Sequence, residues 1–164
     1  MLEKFHVAQK DIVHIEEKRL RSVTKEILMT QGIPEKDAIL ATDALIKADL
    51  RGVESHGVSN MLRAYLGAFK SNSLNPKPNW KIVKETPSCA TINSDNGLGI
   101  VVAPQAMEIA VEKAKKTGAG IVTMNNCGHL GMLAYHSMIA SDNDMIGTTM
   151  AACSPRMVPT YSSG

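Results

Sequence analysis

Ser71-Asn72-Ser73-Leu74-Asn75-Pro76-Lys77-Pro78-Asn79 separates two stretches of chain with different periodicities. Prolines and asparagines this dense stop a helix, and none of these residues favours a strand interior. Before them the apolar residues recur at helical spacing. Residues 14–31 place Leu20, Val23, Ile27 and Leu28 on one face, opposite Glu16, Glu17, Arg21 and Lys25. Gly32 is a stop signal, and Pro34 stands at the first turn of a second helix whose stripe is Ala38, Ala41, Leu45 and Ala48. A polar break from Arg51 to Gly57 leads to a third helix with Val58, Met61, Leu62, Tyr65, Leu66 and Phe69 along its apolar face.

After the divide the pattern changes. Residues 80–84 and 89–93 are short strands joined by Thr86-Pro87-Ser88, a hairpin. Asp95-Asn96-Gly97-Leu98-Gly99 is a turn-rich loop before a helix over 101–117, which Gly118 and Gly120 close. Residues 121–125 read as a buried strand, about 130–140 as a helix, and 145–151 as a further strand. The expectation is a mixed α+β chain with a helical portion over 1–75 and a second, mixed domain over 76–164.

Bulk composition narrows the functional classes. With 44% hydrophobic and 21% charged residues the chain is globular, and a net charge of +2 with 4% aromatics offers neither a basic stripe nor a stacking surface for nucleic acid. No apolar run approaches the roughly 20 residues that cross a bilayer, so no membrane association is expected. Cys89, Cys127 and Cys153 are an odd, scattered set, which fits a reducing cytoplasm and gives no metal-ligand spacing. The final residues, Thr160 to Gly164, carry no closing helix or strand, and the chain reads as a fragment.

Two clusters carry chemistry. Asp49-Leu50-Arg51-Gly52-Val53-Glu54-Ser55-His56-Gly57 sets a Ser–His pair just before a helix, whose free N–H groups suit a carboxylate ligand. By spacing alone the plainer reading is favoured, with Ser55 a helix cap and His56 a surface residue. Asn125-Asn126-Cys127-Gly128-His129-Leu130-Gly131 sets a histidine between glycines where a strand hands over to a helix, the usual place for sites in α/β proteins. Neither Asp95–Gly99 nor Gly118-Ala119-Gly120 extends to GxGxxG, because Thr123 stands where the third glycine of the second would fall. A standard Rossmann phosphate loop is therefore not expected. His136 and Tyr135 read as packing residues.

Taken in order, the segments Ala48 to Val58, Asp95 to Gly99, Asn125 to Gly131, Met145-Ile146-Gly147 and Ser154-Pro155-Arg156-Met157-Val158-Pro159 resemble the malate/L-lactate dehydrogenase family that also holds sulfolactate, ureidoglycolate and diketogulonate enzymes. The resemblance runs over essentially the whole chain. It implies an atypical, largely antiparallel NAD(P)-binding domain beginning near residue 76, NAD or NADP as cofactor, a homodimer, and a small 2-hydroxy acid or 2-oxo acid as substrate. Malate, lactate and sulfolactate are the candidates. Under the same resemblance His129 is the proton donor and acceptor at the substrate C2 oxygen, with His56 and Ser55 binding or polarising the carbonyl and carboxylate. Some members are described with the counterpart of His56 as the acid. Ser154, Asn126 and Gly131 fall at cofactor-binding positions. Many members carry an Arg three residues after the Gly of Ser-His-Gly; here Asn60 stands there and Arg63 follows a turn later, so these two are the candidate substrate-binding residues. The alternatives are a cyclic imino acid reductase of the same family and a non-catalytic remnant that only oligomerises or binds a partner.

Overall fold

A computed structural model of the chain describes residues 12–152. Its elements are α1 (Glu17–Met29), α2 (Glu35–Leu50), a single 3-10 turn (Glu54–His56), α3 (Val58–Lys70), β1 (Lys81–Glu85), β2 (Cys89–Asn93), α4 (Gly99–Thr117), β3 (Ile121–Asn125) and α5 (Leu133–Ser141).

The second helix is the hub of the helical portion. Ala38, Ala41, Leu45 and Ala48 are all buried, and the small side chains let neighbouring helices approach closely. Leu28 of α1 and Tyr65 and Phe69 of α3 join them in the largest apolar cluster, which also takes in Leu98, Ile100, Val101, Met132 and Tyr135 from beyond the proline-rich divide. Burying one side chain such as Leu28 or Leu45 contributes on the order of 1.5–3 kcal/mol. A charged staple reinforces the same helices. Asp43 accepts from the Tyr135 hydroxyl at 2.8 Å and from Arg21 at 2.9 Å, and pairs with Lys47 at 3.1 Å. Burial works to raise the Asp43 pKa, but the three donors outweigh it and hold the carboxyl below its ordinary range.

The start of α3 is capped from a distance. Ser55 does not cap it; the Val58 amide instead donates to the Asp49 carboxylate at 2.9 Å, across from the end of α2. A Cβ at position 57 would run into that same carboxylate, so the Gly of Ser-His-Gly is needed for close approach. Burial raises the Asp49 pKa.

Beyond the divide, β1 and β2 form the expected hairpin, with β1 one residue later than the sequence pattern placed it. The strand β3 pairs with β2 in parallel, Cys89 opposite Ile121 through to Asn93 opposite Asn125. The sheet, in the order β1-β2-β3, is therefore mixed, and β2–α4–β3 is a crossover unit. One face is covered by α4, with Ile92, Val102 and Ala106 at the centre and Trp80, Ile109, Val122 and Met124 around them.

Three sequence expectations need correction. The strand over 121–125 is not buried: Ile121 is 59% exposed, and exposure alternates along β3 because a helix covers only one face of the sheet. Residues 145–151 show alternating burial but form no ladder among the described residues, so a strand-like pattern stands without a pairing partner. The last helix begins at Leu133, so His129 lies in a loop four residues ahead of it and not at its first turn.

Candidate functional site

The carboxyl ends of the parallel strands β2 and β3 lie side by side and hold their loops together. Ser94 N–H donates to Asn125 O at 3.0 Å, Asn96 N–H to Asn126 O at 2.8 Å, and Gly128 N–H to Gly97 O at 2.9 Å. The loop that leaves β3 thus starts from a fixed base, and it carries His129. From the other side the 3-10 turn before α3 carries His56, anchored by His56 N–H to Val53 O at 2.9 Å. The two imidazoles meet with ring centroids 5.3 Å apart and planes 14° from parallel. No molecule fits between rings at that spacing, so any substrate has to lie against their edges.

Each ring is held at Nδ1 by a hydroxyl. Ser55 Oγ lies 2.8 Å from His56 Nδ1, and Tyr65 Oη lies 2.9 Å from His129 Nδ1. The Gly131 amide also donates to His129 Nδ1, at 3.2 Å. It can reach because Gly131 takes a φ of +66°, where a side chain is strained, and a Cβ there would lie 2.6 Å from Ile100 Cγ2. Neither Nε2 has a hydrogen-bond partner among the described residues.

The spacing disfavours positive charge on both rings at once. Two imidazolium charges at 5.3 Å repel by roughly 1–3 kcal/mol between water-like and protein-like screening. Partial burial, followed by the neighbouring His56, pushes the His129 pKa below its ordinary value. Burial raises Tyr65 far above the ordinary phenol range, so it remains a neutral O–H donor or acceptor. Cys127, in the same loop, is also pushed up by burial and stays a thiol.

His56, Ser55, His129 and Gly131 are thus brought together. Asn126 ties β3 to β2, donating from Nδ2 to Asn93 Oδ1 at 3.2 Å. Asn60 is exposed and its amide is engaged by the Glu54 carbonyl at 2.8 Å; Arg63 is exposed and forms no ion pair among the described residues. Among the described residues no hydrogen bond or ion pair joins either of them to the histidine pair. Ser154 lies outside the described residues. Sequence reasoning missed Tyr65, which it placed on the apolar face of α3 as packing. The signal available was a phenol on a stripe otherwise made of Val, Leu, Met and Phe, since a buried tyrosine hydroxyl needs a partner.

Two other features compete for attention. A cleft of about 750 Å³ between β1 and α4 is lined by Trp80, Ile82, Gln105 and Ile109, but it holds no histidine, and its Lys113 is committed to Glu85 at 2.8 Å and Thr86 O at 2.7 Å. His136 is 1% exposed and donates from Nε2 to Leu130 O at 2.7 Å, leaving Nδ1 without a partner among the described residues. Burial lowers its pKa, with the Leu130 bond opposing. A histidine whose folded pKa lies below its unfolded value, about 6.5, stabilises the fold above that pH and ceases to do so as pH falls through the folded value. Urea unfolding of the complete protein is therefore expected to show stability falling below about pH 6.5, with a slope of up to roughly 1.4 kcal/mol per pH unit for one such group. The change His136→Gln should flatten that slope; an unchanged slope would show that this histidine does not titrate with unfolding.

The sequence profile of a family described as malate/L-lactate dehydrogenase matches residues 15–164. The L-sulfolactate dehydrogenase of Methanocaldococcus jannaschii is 44% identical over 134 residues, covering 82% of this chain and 39% of that protein. The malate dehydrogenase of Pyrococcus abyssi is 42% identical over 160 residues, covering 98% of this chain and 44% of its own length. Among solved structures, the malate dehydrogenase of Pyrococcus horikoshii OT3 superposes with a TM-score of 0.79 at 39% identity, covering 84% of this chain and 39% of that one. The chain thus spans about two fifths of the length of these relatives.

Proposed function

The chain belongs to the malate/L-lactate dehydrogenase family, and from that premise we propose that the complete protein interconverts a 2-hydroxy acid of the malate, lactate or sulfolactate type with its 2-oxo acid, using NAD or NADP. The observation that carries the reading is the pair of imidazoles 5.3 Å apart, each held at Nδ1 and free at Nε2. The relatives' names supply the substrate class, and the chemistry of the loop supports the cofactor. From Asn125 to Gly131 the loop offers amides, backbone donors and a histidine and no acidic side chain, a donor set that suits an anionic dinucleotide. Asn126, Gly131 and Ser154 are the residues proposed to hold it, with the Gly131 amide also donating to His129. The nicotinamide, when bound, supplies or accepts the hydride.

The hydrogen bonds divide the work between the histidines. A backbone amide can only donate, so the Gly131 N–H favours a lone pair on His129 Nδ1 and leaves the neutral ring's proton on Nε2. In that form His129 donates a hydrogen bond to the substrate C2 oxygen and polarises it. The Ser55 hydroxyl can donate or accept, so His56 is free to carry its proton on either nitrogen. His56 Nε2 therefore takes the C2 hydroxyl proton during oxidation, with Nδ1–H donating to Ser55 Oγ, and returns it during reduction. This is the second of the two family assignments, and the fixed amide donor favours it over His129 as the proton carrier. Dimerisation and a cytoplasmic location are proposed on the same family footing.

The test is NADH and NADPH oxidation by the complete protein with oxaloacetate, pyruvate and sulfopyruvate, and with a cyclic imino acid as the competing substrate class. Turnover of a 2-oxo acid supports the reading. Turnover of the imino acid alone assigns the reductase activity, and turnover of none of them points to a non-catalytic role.

A further inference from the structure

The two partners of His129 Nδ1 differ in kind. The Gly131 amide, at 3.2 Å, is a donor only. The Tyr65 hydroxyl, at 2.9 Å, either donates to a lone pair or, after rotating about its C–O bond, accepts from an N–H. It reaches the ring from the covered face of α3, where Tyr65 is 2% exposed, and the ring centroids lie 6.0 Å apart at a 47° tilt. The phenol is thus fixed in place by packing while its proton is free to turn.

We infer that Tyr65 is a positioning residue for His129: its hydroxyl stays bonded to Nδ1 whether the ring is neutral or charged, while the Gly131 amide fixes the neutral ring with its proton on Nε2. The inference deepens the proposed function and rests on its reading of His129 as the hydrogen-bond donor to the substrate oxygen. A neutral ring accepts at Nδ1 from both partners. A charged ring has hydrogens on both nitrogens, and at Nδ1 only Tyr65 Oη can accept. Among the described residues the titratable groups facing His129 are His56, from the turn before α3, and Tyr65, from α3 itself. The start of α4 meets the loop through the backbone at Gly99 and brings no charge.

The experiment is nitrogen NMR of the complete protein labelled with ¹⁵N-histidine, titrated through the His129 pKa, together with steady-state kinetics. In the unsubstituted protein the neutral ring is expected to show an unprotonated Nδ1 and a protonated Nε2. In Tyr65→Phe the neutral tautomer stays the same, but the cation loses its one acceptor. Because hydrogen bonds to charged groups exceed neutral ones, the proton affinity of His129 falls about fivefold. With the ring less firmly aimed, kcat falls about tenfold while the cofactor KM is unchanged. Should Tyr65→Phe fail to fold, 3-fluorotyrosine placed at position 65 keeps the shape and weakens the oxygen as an acceptor, so it lowers the proton affinity in the same direction. A wild-type neutral ring protonated at Nδ1, or a His129 titration that neither substitution moves, overturns the inference. The NMR readout needs no turnover. An inactive protein that shows the shift sinks only the functional reading, and an active one without it sinks only the role of Tyr65.

Discussion

Replacing His56 with Ala in the complete protein is expected to lower kcat by about 10²–10⁴-fold, the range that a positioned general acid–base contributes. His56 sits on a 3-10 turn whose shape is set by Gly57 and Asp49, with Ser55 Oγ 2.8 Å from Nδ1. It is the one ring of the pair whose hydroxyl partner accommodates either tautomer without opposition from a fixed donor. Under the proposed mechanism, removing it takes away the described residue assigned to the C2 proton, while the covered face of α3 and the Asp49 cap are untouched. Steady-state kinetics in both directions check the result. A His56→Ala variant within a few-fold of the parent would return the proton to another group.

Loss of His129 is expected to be nearly as severe but to respond differently to repair. His129→Ala removes a donor aimed at an oxygen that gains negative charge during reduction, and such donors are worth about 10²–10³ in kcat. His129→Gln puts an amide N–H near the place of Nε2–H, and it should recover about tenfold of that loss. A proton carrier behaves otherwise, since an amide cannot take up or release a proton at working pH. If His129→Gln is as inactive as His129→Ala, with its fold intact by circular dichroism, the polarising role is wrong and His129 is the carrier. The lowered pKa of His129 agrees with a ring that stays neutral at neutral pH.

Much of the architecture was legible because local signals agreed with one another. The buried stripe of α2 is the Ala38, Ala41, Leu45 and Ala48 series read from spacing, and β2 falls on residues 89–93 as read. Gly118 closes α4 at φ +83°, where the sequence placed the stop. The burial of β3 was not legible, because Ile121-Val122-Thr123-Met124 has the composition of a fully covered strand, and whether one or two layers cover a sheet is a tertiary fact. Residues 145–151 have strand alternation, but a ladder needs a partner that the pattern cannot name. At the site, spacing alone favoured a plain surface role for His56, and it was the family resemblance of the motifs in order that singled out His56 and His129. Their stacking was not legible, since nothing local says that the turn before α3 and the loop after β3 will meet. Tyr65 was hidden for a similar reason: its partner lies 64 residues away, and its helical neighbours are apolar.

If, as proposed, the two imidazoles act on one substrate oxygen as a unit, a double-mutant cycle on kcat reveals it. Groups that serve the same reacting atom lose their benefit together, so His56→Ala combined with His129→Ala should be no slower than about the worse single variant. Losses that multiply across the two substitutions would show the rings working independently, and the shared site would have to be abandoned.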